Sequence, residues 1–313
     1  MFQYLIYSLR LRRVEYRIAE LPIFLIPVFL TAEDTTVFVS AEFWEGGLIF
    51  FFLFAFGDLV NCLADRELDA VYKPKLTEAV HGIGIRGVIA QAVLSAIAAT
   101  ALTVHLAWRL DRWILVPAVA FGLLLAFAYS VEPLRLKGRG LWQLAFYWLG
   151  LFSGPMMFIA MLFDPMPAWP VWVISLAFGL VQSGVILVNT AEDFTEDRQM
   201  GVRTVIVALG LKHGMTLAAL LAFAGAVAAA VALILLYAER GVLTTAWPWL
   251  LPFVICATFD SVCIARLQHV VRRSDLGGGV DAVRRAAKLV PVWMTTTAVS
   301  CLIAVVAMFL TGG

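Results

Sequence analysis

Residues 215–237 read MTLAALLAFAGAVAAAVALILLY, a stretch long enough to cross a bilayer and free of charged side chains. Eight further apolar stretches occur along the 313-residue chain, which is 62% hydrophobic and only 14% charged. Ordinary soluble domains do not have this composition. We therefore predict an all-α polytopic membrane protein, a bundle of nine transmembrane helices. The nine predicted spans are 18–34, 42–61, 87–108, 113–130, 142–163, 170–190, 215–237, 246–265 and 289–310.

The distribution of Lys and Arg tests this count independently. All but three of the 23 basic residues fall in the N-terminal segment or in the loops after predicted helices 2, 4, 6 and 8. The opposite side has only Arg109, Arg112 and Arg240. Because cytoplasmic loops are enriched in basic residues, we predict a multi-pass protein of the cell membrane with a cytoplasmic N-terminus.

The chain has no linker rich in Pro, Gly or Ser, so we predict that residues 1–313 form a single membrane domain. The net charge of +1 gives no indication of nucleic-acid binding, and we predict none. Residues 274–280, which read SDLGGGV, are predicted to form a flexible turn within a basic cytoplasmic segment.

Two runs of the form N-x-x-x-D-x-x-x-D stand at the ends of predicted helices 2 and 6. Residues four apart share one helix face, so each run directs an amide and two carboxylates to the same side. Ionisable groups at membrane depth are costly and usually functional. Four helices separate the two runs, which indicates an internal duplication of predicted helices 2–5 and 6–9. Equivalent helix ends in a duplicated bundle can face one another across a central cavity. The runs are Asn61, Asp65 and Asp69, and Asn189, Asp193 and Asp197.

The four aspartates of these runs would place about four negative charges around one cavity. At about 6 Å and an effective dielectric constant of about 20, each like-charge pair costs roughly 3 kcal/mol. Divalent cations would offset this repulsion, and carboxylate oxygens suit Mg²⁺, which shares its coordination shell with ligand phosphates. The runs therefore predict a Mg²⁺ site for a strongly anionic ligand such as a diphosphate.

The loop after predicted helix 4 supplies cations for such a ligand. Residues 129–140 read YSVEPLRLKGRG. Arg135 and Lys137 can donate charge-assisted hydrogen bonds to phosphate oxygens. Tyr129 can donate its phenol or offer a ring face to a cation. Arg198, Arg203 and Thr204 add donors after the second acidic run.

Together these elements resemble the UbiA superfamily of intramembrane prenyltransferases. Residues 61–69 (NCLADRELD) are similar to the family's N-x-x-x-D-R-E-x-D. Residues 193–204 (DFTEDRQMGVRT) resemble D-x-x-x-D-R-x-x-G-x-x-T, and residues 129–137 resemble Y-S-x-x-P-x-R-x-K. The resemblance covers most of the chain, because nine helices and three motif loops, cytoplasmic in that family, fall at the corresponding places.

The resemblance implies a transferase that uses Mg²⁺ to move an isoprenyl group from a prenyl diphosphate donor to a lipophilic or aromatic acceptor within the lipid bilayer. Arg66 and Arg198 follow an aspartate in each motif, and pairing with neighbouring carboxylates is an equal alternative to substrate contact. The stretch 72–77 (YKPKLT) departs from the family's N-x-P-x-R-P, so Lys73 and Lys75 either replace a basic contact or that contact is lost. The implied metal ligands and catalytic residues are Asp65, Asp69, Asp193 and Asp197, with Tyr129 also catalytic. The implied substrate-binding residues are Asn61, Arg66, Lys73, Arg135, Lys137, Asn189 and Arg198.

Two alternatives stay open at this point. A terpene cyclase of the same superfamily would ionise the same donor and release a product without any acceptor. A cation-coupled transporter would use the carboxylates differently, but a cation pathway gains nothing from the clustered Arg and Lys of the helix 4 loop. The acceptor, the prenyl chain length and the oligomeric state are left open. So are the roles of Asp58, three residues before Asn61, and of Asp260 within predicted helix 8.

Overall fold

The computed structural model describes residues 2–14, 17–72 and 74–312, and no strand occurs within these ranges. Short 3₁₀-helices cover Thr35–Val39, Leu136–Gly138 and Trp247–Leu250, and Phe146–Ser153 is π-helical. The α-helices, in chain order, are α1 (Phe2–Leu11), α2 (Arg17–Thr31), α3 (Ala41–Ala64), α4 (Arg66–Tyr72), α5 (Pro74–Ile83), α6 (Ile85–Leu110), α7 (Leu115–Ser130), α8 (Leu141–Ala145), α9 (Gly154–Phe163), α10 (Trp169–Glu192), α11 (Phe194–Gln199), α12 (Val205–Leu209), α13 (Leu211–Glu239), α14 (Leu243–Ala246), α15 (Leu251–Arg273), α16 (Leu276–Ala287) and α17 (Val290–Gly312).

Apolar helices of membrane-spanning length confirm the prediction of an all-α polytopic membrane protein. Two further apolar helical segments, Ala19–Thr31 and Leu115–Ser130, are shorter, so the count of nine spans is not confirmed. Pro22 and Pro27 lie inside the first of these, where each removes a backbone donor from the helix. The seven segments of the described chain that are long and apolar enough to cross a membrane are Ala41–Ala64, Ile85–Leu110, Leu141–Phe163, Trp169–Glu192, Leu211–Glu239, Leu243–Arg273 and Val290–Gly312.

Residue contacts group the chain into two compact units. Unit 1 comprises Met1–Leu21, Thr35–Leu136 and Met161–Pro165, and unit 2 comprises Pro22–Asp34, Lys137–Ala160 and Met166–Gly313. This grouping does not test whether the chain is one domain in the sense predicted from the sequence. The single membrane domain therefore stays a prediction.

Unit 1 is organised around α3, which packs against α6 and α7, while α1 and α4 both pack against α5. At the start of α2, the Arg17 guanidinium pairs with the carboxylates of Glu20 and Asp58, and so ties α2 to α3. Aliphatic side chains of α1, α3, α5 and α6 pack together in this region. Its buried cluster consists of Leu11, Leu59, Val60, Cys62, Ala79, Val80, Val88 and Ala92.

Unit 2 is organised around α10, the span with the largest buried share. It packs along α13, and two glycines allow their backbones to approach closely. A Cβ atom added to Gly184 would lie 2.5 Å from the backbone nitrogen of Ala222. One added to Gly225 would lie 2.6 Å from the backbone nitrogen of Val181. Small residues are the usual means of close helix packing in membranes, where apolar burial alone does not favour association.

This close approach predicts that Gly225→Ala destabilises the fold. The new methyl group would collide with backbone atoms that have no room to move, and overpacking of this kind costs about 1–3 kcal/mol. Gly122→Ala in α7 is the matched control, because no atom lies within 4 Å of its added Cβ and alanine favours the helix. Thermal unfolding in detergent measures both variants. Equal melting temperatures for the two would contradict the packing described.

Candidate functional site

The first acidic run lies in unit 1, where the long helix α3 meets the short helix α4. α3 ends at Ala64 and Asp65 occupies its C-cap with φ −95° and ψ 3°, so the run crosses the junction of two helices. The four-residue spacing nevertheless persists in the backbone hydrogen bonds. The Asp65 N–H donates to the Asn61 carbonyl at 2.9 Å, and the Asp69 N–H donates to the Asp65 carbonyl at 2.7 Å.

Side chains at the end of α7 and in the loop that follows it lie next to this first run. The Ser130 hydroxyl donates to Asn61 Oδ1 at 3.0 Å and so fixes the orientation of that amide. Arg135 Nη2 lies 3.9 Å from Asp65 Oδ1, and Arg135 Nη1 lies 3.5 Å from Glu132 Oε1. The backbone of Arg135 is left-handed, with φ 36°, a strained conformation that clusters at functional sites. Asp69 is only 4% exposed. The structure therefore brings Arg135 to the first acidic run.

The second acidic run lies in unit 2, where α10 meets the short helix α11. Here too the helix is interrupted, because Asp193 is the cap residue with φ −90° and its N–H donates to the Ala191 carbonyl. The spacing predicted from Asn189 is thus broken, while the Asp197 N–H still donates to the Asp193 carbonyl at 2.8 Å. Asn189 is exposed although its neighbours on both sides are buried. The Asn189 side chain therefore reaches the surface next to side chains that are buried.

Within the second run, the surroundings of Asp197 shift its pKa. Burial, reinforced by the negative charges of Asp193 and Glu196, raises the pKa of Asp197 to about 6. A hydrogen bond with Thr204 and the positive charge of Lys137 act in the opposite direction and lower this pKa. Lys137 is only 8% exposed, so its ammonium group acts from within the protein. The second run therefore combines two repelling carboxylates with one buried cation.

Backbone and side-chain hydrogen bonds hold the start of α8 against the chain that follows the second run. The Gly140 N–H donates to the Arg203 carbonyl at 2.7 Å. Gln143 Oε1 accepts a hydrogen bond from the Val205 N–H at 2.9 Å, and Gln143 Nε2 donates to the Tyr147 hydroxyl at 3.0 Å. The sequence prediction missed Gln143. The available signal was a polar residue near the start of the apolar stretch 142–163.

The other predicted site residues occupy varied positions. Tyr129 is half-buried beside Ser130, and Arg198 is exposed on α11. Arg66 donates to the Leu63 carbonyl and to Glu67 Oε1, each at 3.0 Å, so its guanidinium pairs with a neighbouring carboxylate. Lys73 lies outside the described residues. No comparison tests the binding and catalytic roles assigned from the sequence, and they stay predictions.

The two carboxylates whose roles the sequence left open have local partners. Asp58 of α3 pairs with Arg17 in unit 1. Asp260 of α15 is 1% exposed and accepts a hydrogen bond from the Thr297 hydroxyl of α17 at 2.5 Å in unit 2. A buried carboxylate at membrane depth requires such a donor. Both side chains therefore connect neighbouring helices.

The donor set suits Mg²⁺ rather than a metal held entirely by protein. Mg²⁺ usually keeps several waters and binds one or two carboxylates together with substrate phosphates. Each acidic run offers two aspartates, and the repulsion between Asp193 and Asp197 is of the kind that a divalent cation offsets. In the described ranges, no group of three or more His, Cys, Asp or Glu side chains is placed to hold a metal ion.

The fold and these motifs define a polytopic helical membrane protein with an acidic run at the end of each of two long helices. The sequence profile of the UbiA prenyltransferase family matches residues 21–282. The chain belongs to this family.

Individual relatives agree with this assignment. The chain is 33% identical over 155 residues to the bacteriochlorophyll synthase 33 kDa chain of Cereibacter sphaeroides, covering 48% of each. It is 30% identical over 156 residues to the chain of the same name in Rhodobacter capsulatus, covering 48% of this chain and 49% of that one. The match thus spans about half the length of these relatives.

Solved structures share the fold. A structure of digeranylgeranylglyceryl phosphate synthase aligns with a TM-score of 0.67 and 16% identity, over 98% of this chain and 99% of that one. A UbiA homologue from Archaeoglobus fulgidus bound to DMAPP and Mg²⁺ aligns with a TM-score of 0.57 and 13% identity, over 93% of this chain and 99% of that one. At these identities the likeness concerns the fold alone.

Proposed function

We propose that this protein is a Mg²⁺-dependent intramembrane prenyltransferase that moves an isoprenyl group from a prenyl diphosphate to a lipophilic acceptor. The observation that carries the proposal is the second acidic run, where Asp193 and Asp197 repel one another beside the buried Lys137. Carboxylates that need a divalent cation, next to an ammonium group, are the complement of a metal-bound diphosphate. The first run supports the proposal in the same way, because Arg135 lies beside Asp65.

Each residue then has a defined task in the reaction. Asp65 and Asp69 in the first run, and Asp193 and Asp197 in the second, would hold Mg²⁺, which would neutralise negative charge on the diphosphate. Asn61, oriented by Ser130, supports the first run. Arg135 is assigned to diphosphate oxygens at the first run, and Lys137 to diphosphate oxygens at the second.

Cleavage of the donor leaves charge at both ends of the broken bond. The C–O bond breaks, and its electron pair leaves with the diphosphate. Arg135 and Lys137 donate hydrogen bonds to the oxygens on which negative charge develops, which favours ionisation. The remaining allylic cation is stabilised by the ring face of Tyr129 until a nucleophilic oxygen or carbon of the acceptor forms the new bond and releases a proton. Such a cation persists only where water is excluded.

The relatives guide the choice of substrates. The Archaeoglobus fulgidus structure with DMAPP and Mg²⁺ supports a prenyl diphosphate donor and this metal. The bacteriochlorophyll synthase relatives, named for the formation of a tetrapyrrole pigment, support a tetrapyrrole as the acceptor. The side bias of Lys and Arg supports a cytoplasmic N-terminus and cytoplasmic motif loops.

Product formation by the purified full chain tests this proposal. The chain, in lipid nanodiscs, is incubated with labelled C5 to C20 prenyl diphosphates and with a chlorin carboxylic acid, a hydroxybenzoic acid or glycerol phosphate. We expect a prenylated chlorin and free diphosphate, with more than 90% of turnover lost in EDTA and restored by Mg²⁺. A labelled hydrocarbon or alcohol formed equally without acceptor would indicate a cyclase instead. Absence of diphosphate release under every condition would contradict prenyl transfer.

A further inference from the structure

Helix α16 is an amphipathic helix of unit 2 between α15 and α17. The prediction of a flexible turn over 274–280 is wrong, because Asp275 caps α16 by accepting a hydrogen bond from the Gly278 N–H at 2.9 Å. The apolar face of α16 packs against α10 and α15. This face consists of Gly279, Val280, Ala282, Val283 and Ala287. The helix is therefore a fixed element that contacts the span carrying the second acidic run.

Arg284 of α16 forms an ion pair with Glu196 of α11, a residue 88 positions earlier in the chain. Glu196 lies inside the second acidic run, between Asp193 and Asp197. One carboxylate oxygen of Glu196 accepts the bond from Arg284, and the other is buried. Charge-assisted pairs of this kind are stronger than neutral hydrogen bonds, and partial burial limits their screening by salt.

Helix α11 needs such an anchor because it has only six residues. A helix this short is not stable alone, since the cost of nucleation exceeds the contribution of its few hydrogen bonds. Its N-cap and first turn carry three acidic residues, Asp193, Glu196 and Asp197. The ion pair between Arg284 and Glu196 holds the short helix in place next to the two aspartates assigned to the metal.

We propose that Arg284 is a positioning residue of the second acidic run: it engages Glu196, fixes α11, and so directs Asp193 and Asp197 toward the metal-bound diphosphate. This role rests on the proposed function for the identity of the ligand. In this proposal α16, which lies outside all three sequence motifs, controls the affinity of the site for a divalent cation.

Metal binding by matched variants tests the role of Arg284. The full-length protein in nanodiscs is titrated with Mn²⁺ in the presence of inorganic diphosphate, and bound Mn²⁺ is measured by electron paramagnetic resonance. We expect Arg284→Gln to weaken Mn²⁺ binding about tenfold, as loss of a group that orients metal ligands does. Arg284→Lys should restore most of the affinity. Arg285→Gln is the control, because Arg285 is the exposed neighbour on the same helix, and it should bind as the wild type does.

A double variant shows whether Arg284 acts through Glu196. If it does, Arg284→Gln combined with Glu196→Gln should weaken Mn²⁺ binding no more than Arg284→Gln alone, and the melting temperatures should stay close to that of the wild type. Additive losses, wild-type affinity in Arg284→Gln, or an equal loss in Arg285→Gln would overturn the proposal. The outcome is independent of turnover. If the wild type forms no prenylated product while Arg284→Gln still loses Mn²⁺ affinity, prenyl transfer fails and the positioning role stands.

Discussion

Replacing Asp193 by Asn is expected to lower kcat/KM for the prenyl diphosphate by about a thousandfold, and Asp65→Asn should have an effect of the same order. Each change removes one anionic ligand from a donor set that offers two aspartates per run. The developing charge on the diphosphate is then stabilised less in the transition state, and the loss corresponds to about 4 kcal/mol. Initial rates with a labelled donor at saturating acceptor measure this effect.

The charge removed in these variants also predicts how their rates depend on the Mg²⁺ concentration. Asn keeps the size of Asp but not its charge, so the variants should need higher Mg²⁺ concentrations for half-maximal rate. Asp281→Asn is the matched control, because Asp281 is exposed on α16 and outside both runs. It should retain the wild-type rate. Undiminished turnover in both Asp65→Asn and Asp193→Asn would remove the assignment of these runs to catalysis.

Lys137→Gln is expected to lower kcat/KM by about a hundredfold and to move the pH profile. The buried ammonium group is assigned to the departing diphosphate, and removal of one such preorganised donor typically costs 10²–10³ in rate. The same ammonium group lowers the pKa of Asp197, which burial and two neighbouring carboxylates raise to about 6. The variant should therefore leave the pKa of Asp197 higher than it is in the wild type.

The direction of the pH shift follows from the charge that Mg²⁺ requires. The proposed metal role requires Asp197 as a carboxylate, so activity should be present above its pKa and decline as the pH falls through about 6. In Lys137→Gln this decline should begin at higher pH. Values of kcat/KM at subsaturating donor between pH 5 and pH 8 measure the midpoint, because they report the free enzyme. Lys288→Gln, which changes an exposed lysine outside the motifs, is the control. An unchanged midpoint in Lys137→Gln would contradict the coupling between these two groups.

Much of the fold could be predicted because its signals are local. A span is recognised by apolar length alone, and stretches such as 215–237 and 170–190 lie within α13 and α10. Apolar length does not decide whether the two shorter apolar helices, α2 and α7, cross the membrane. α2 contains Pro22 and Pro27, and α7 has 16 residues, so length alone does not assign either to a full crossing. The break of both acidic runs at their first aspartate was also missed, because each cap depends on the chain that follows it.

Some residues around the candidate site could be identified from the sequence, and others only from the structure. Asp65, Asp69, Asp193 and Asp197 stand out in the sequence because carboxylates next to apolar spans have few structural explanations. Gln143 and Arg284 did not stand out. Gln143 meets the Val205 N–H across 62 positions, and Arg284 meets Glu196 across 88. Polar or basic side chains of their kind occur throughout such a chain, so only the folded arrangement distinguishes these two.

The amino-acid order was sufficient to establish the membrane class, the side bias of basic residues and the acidic runs, since each depends on composition and spacing within about 20 residues. Folding decided which groups lie close together. Examples are the buried Lys137 near Asp197, the close backbone approach of α10 and α13 at their glycines, and the ion pair between α11 and α16. These features depend on burial and on contacts between distant segments, and both arise only when helices pack against one another.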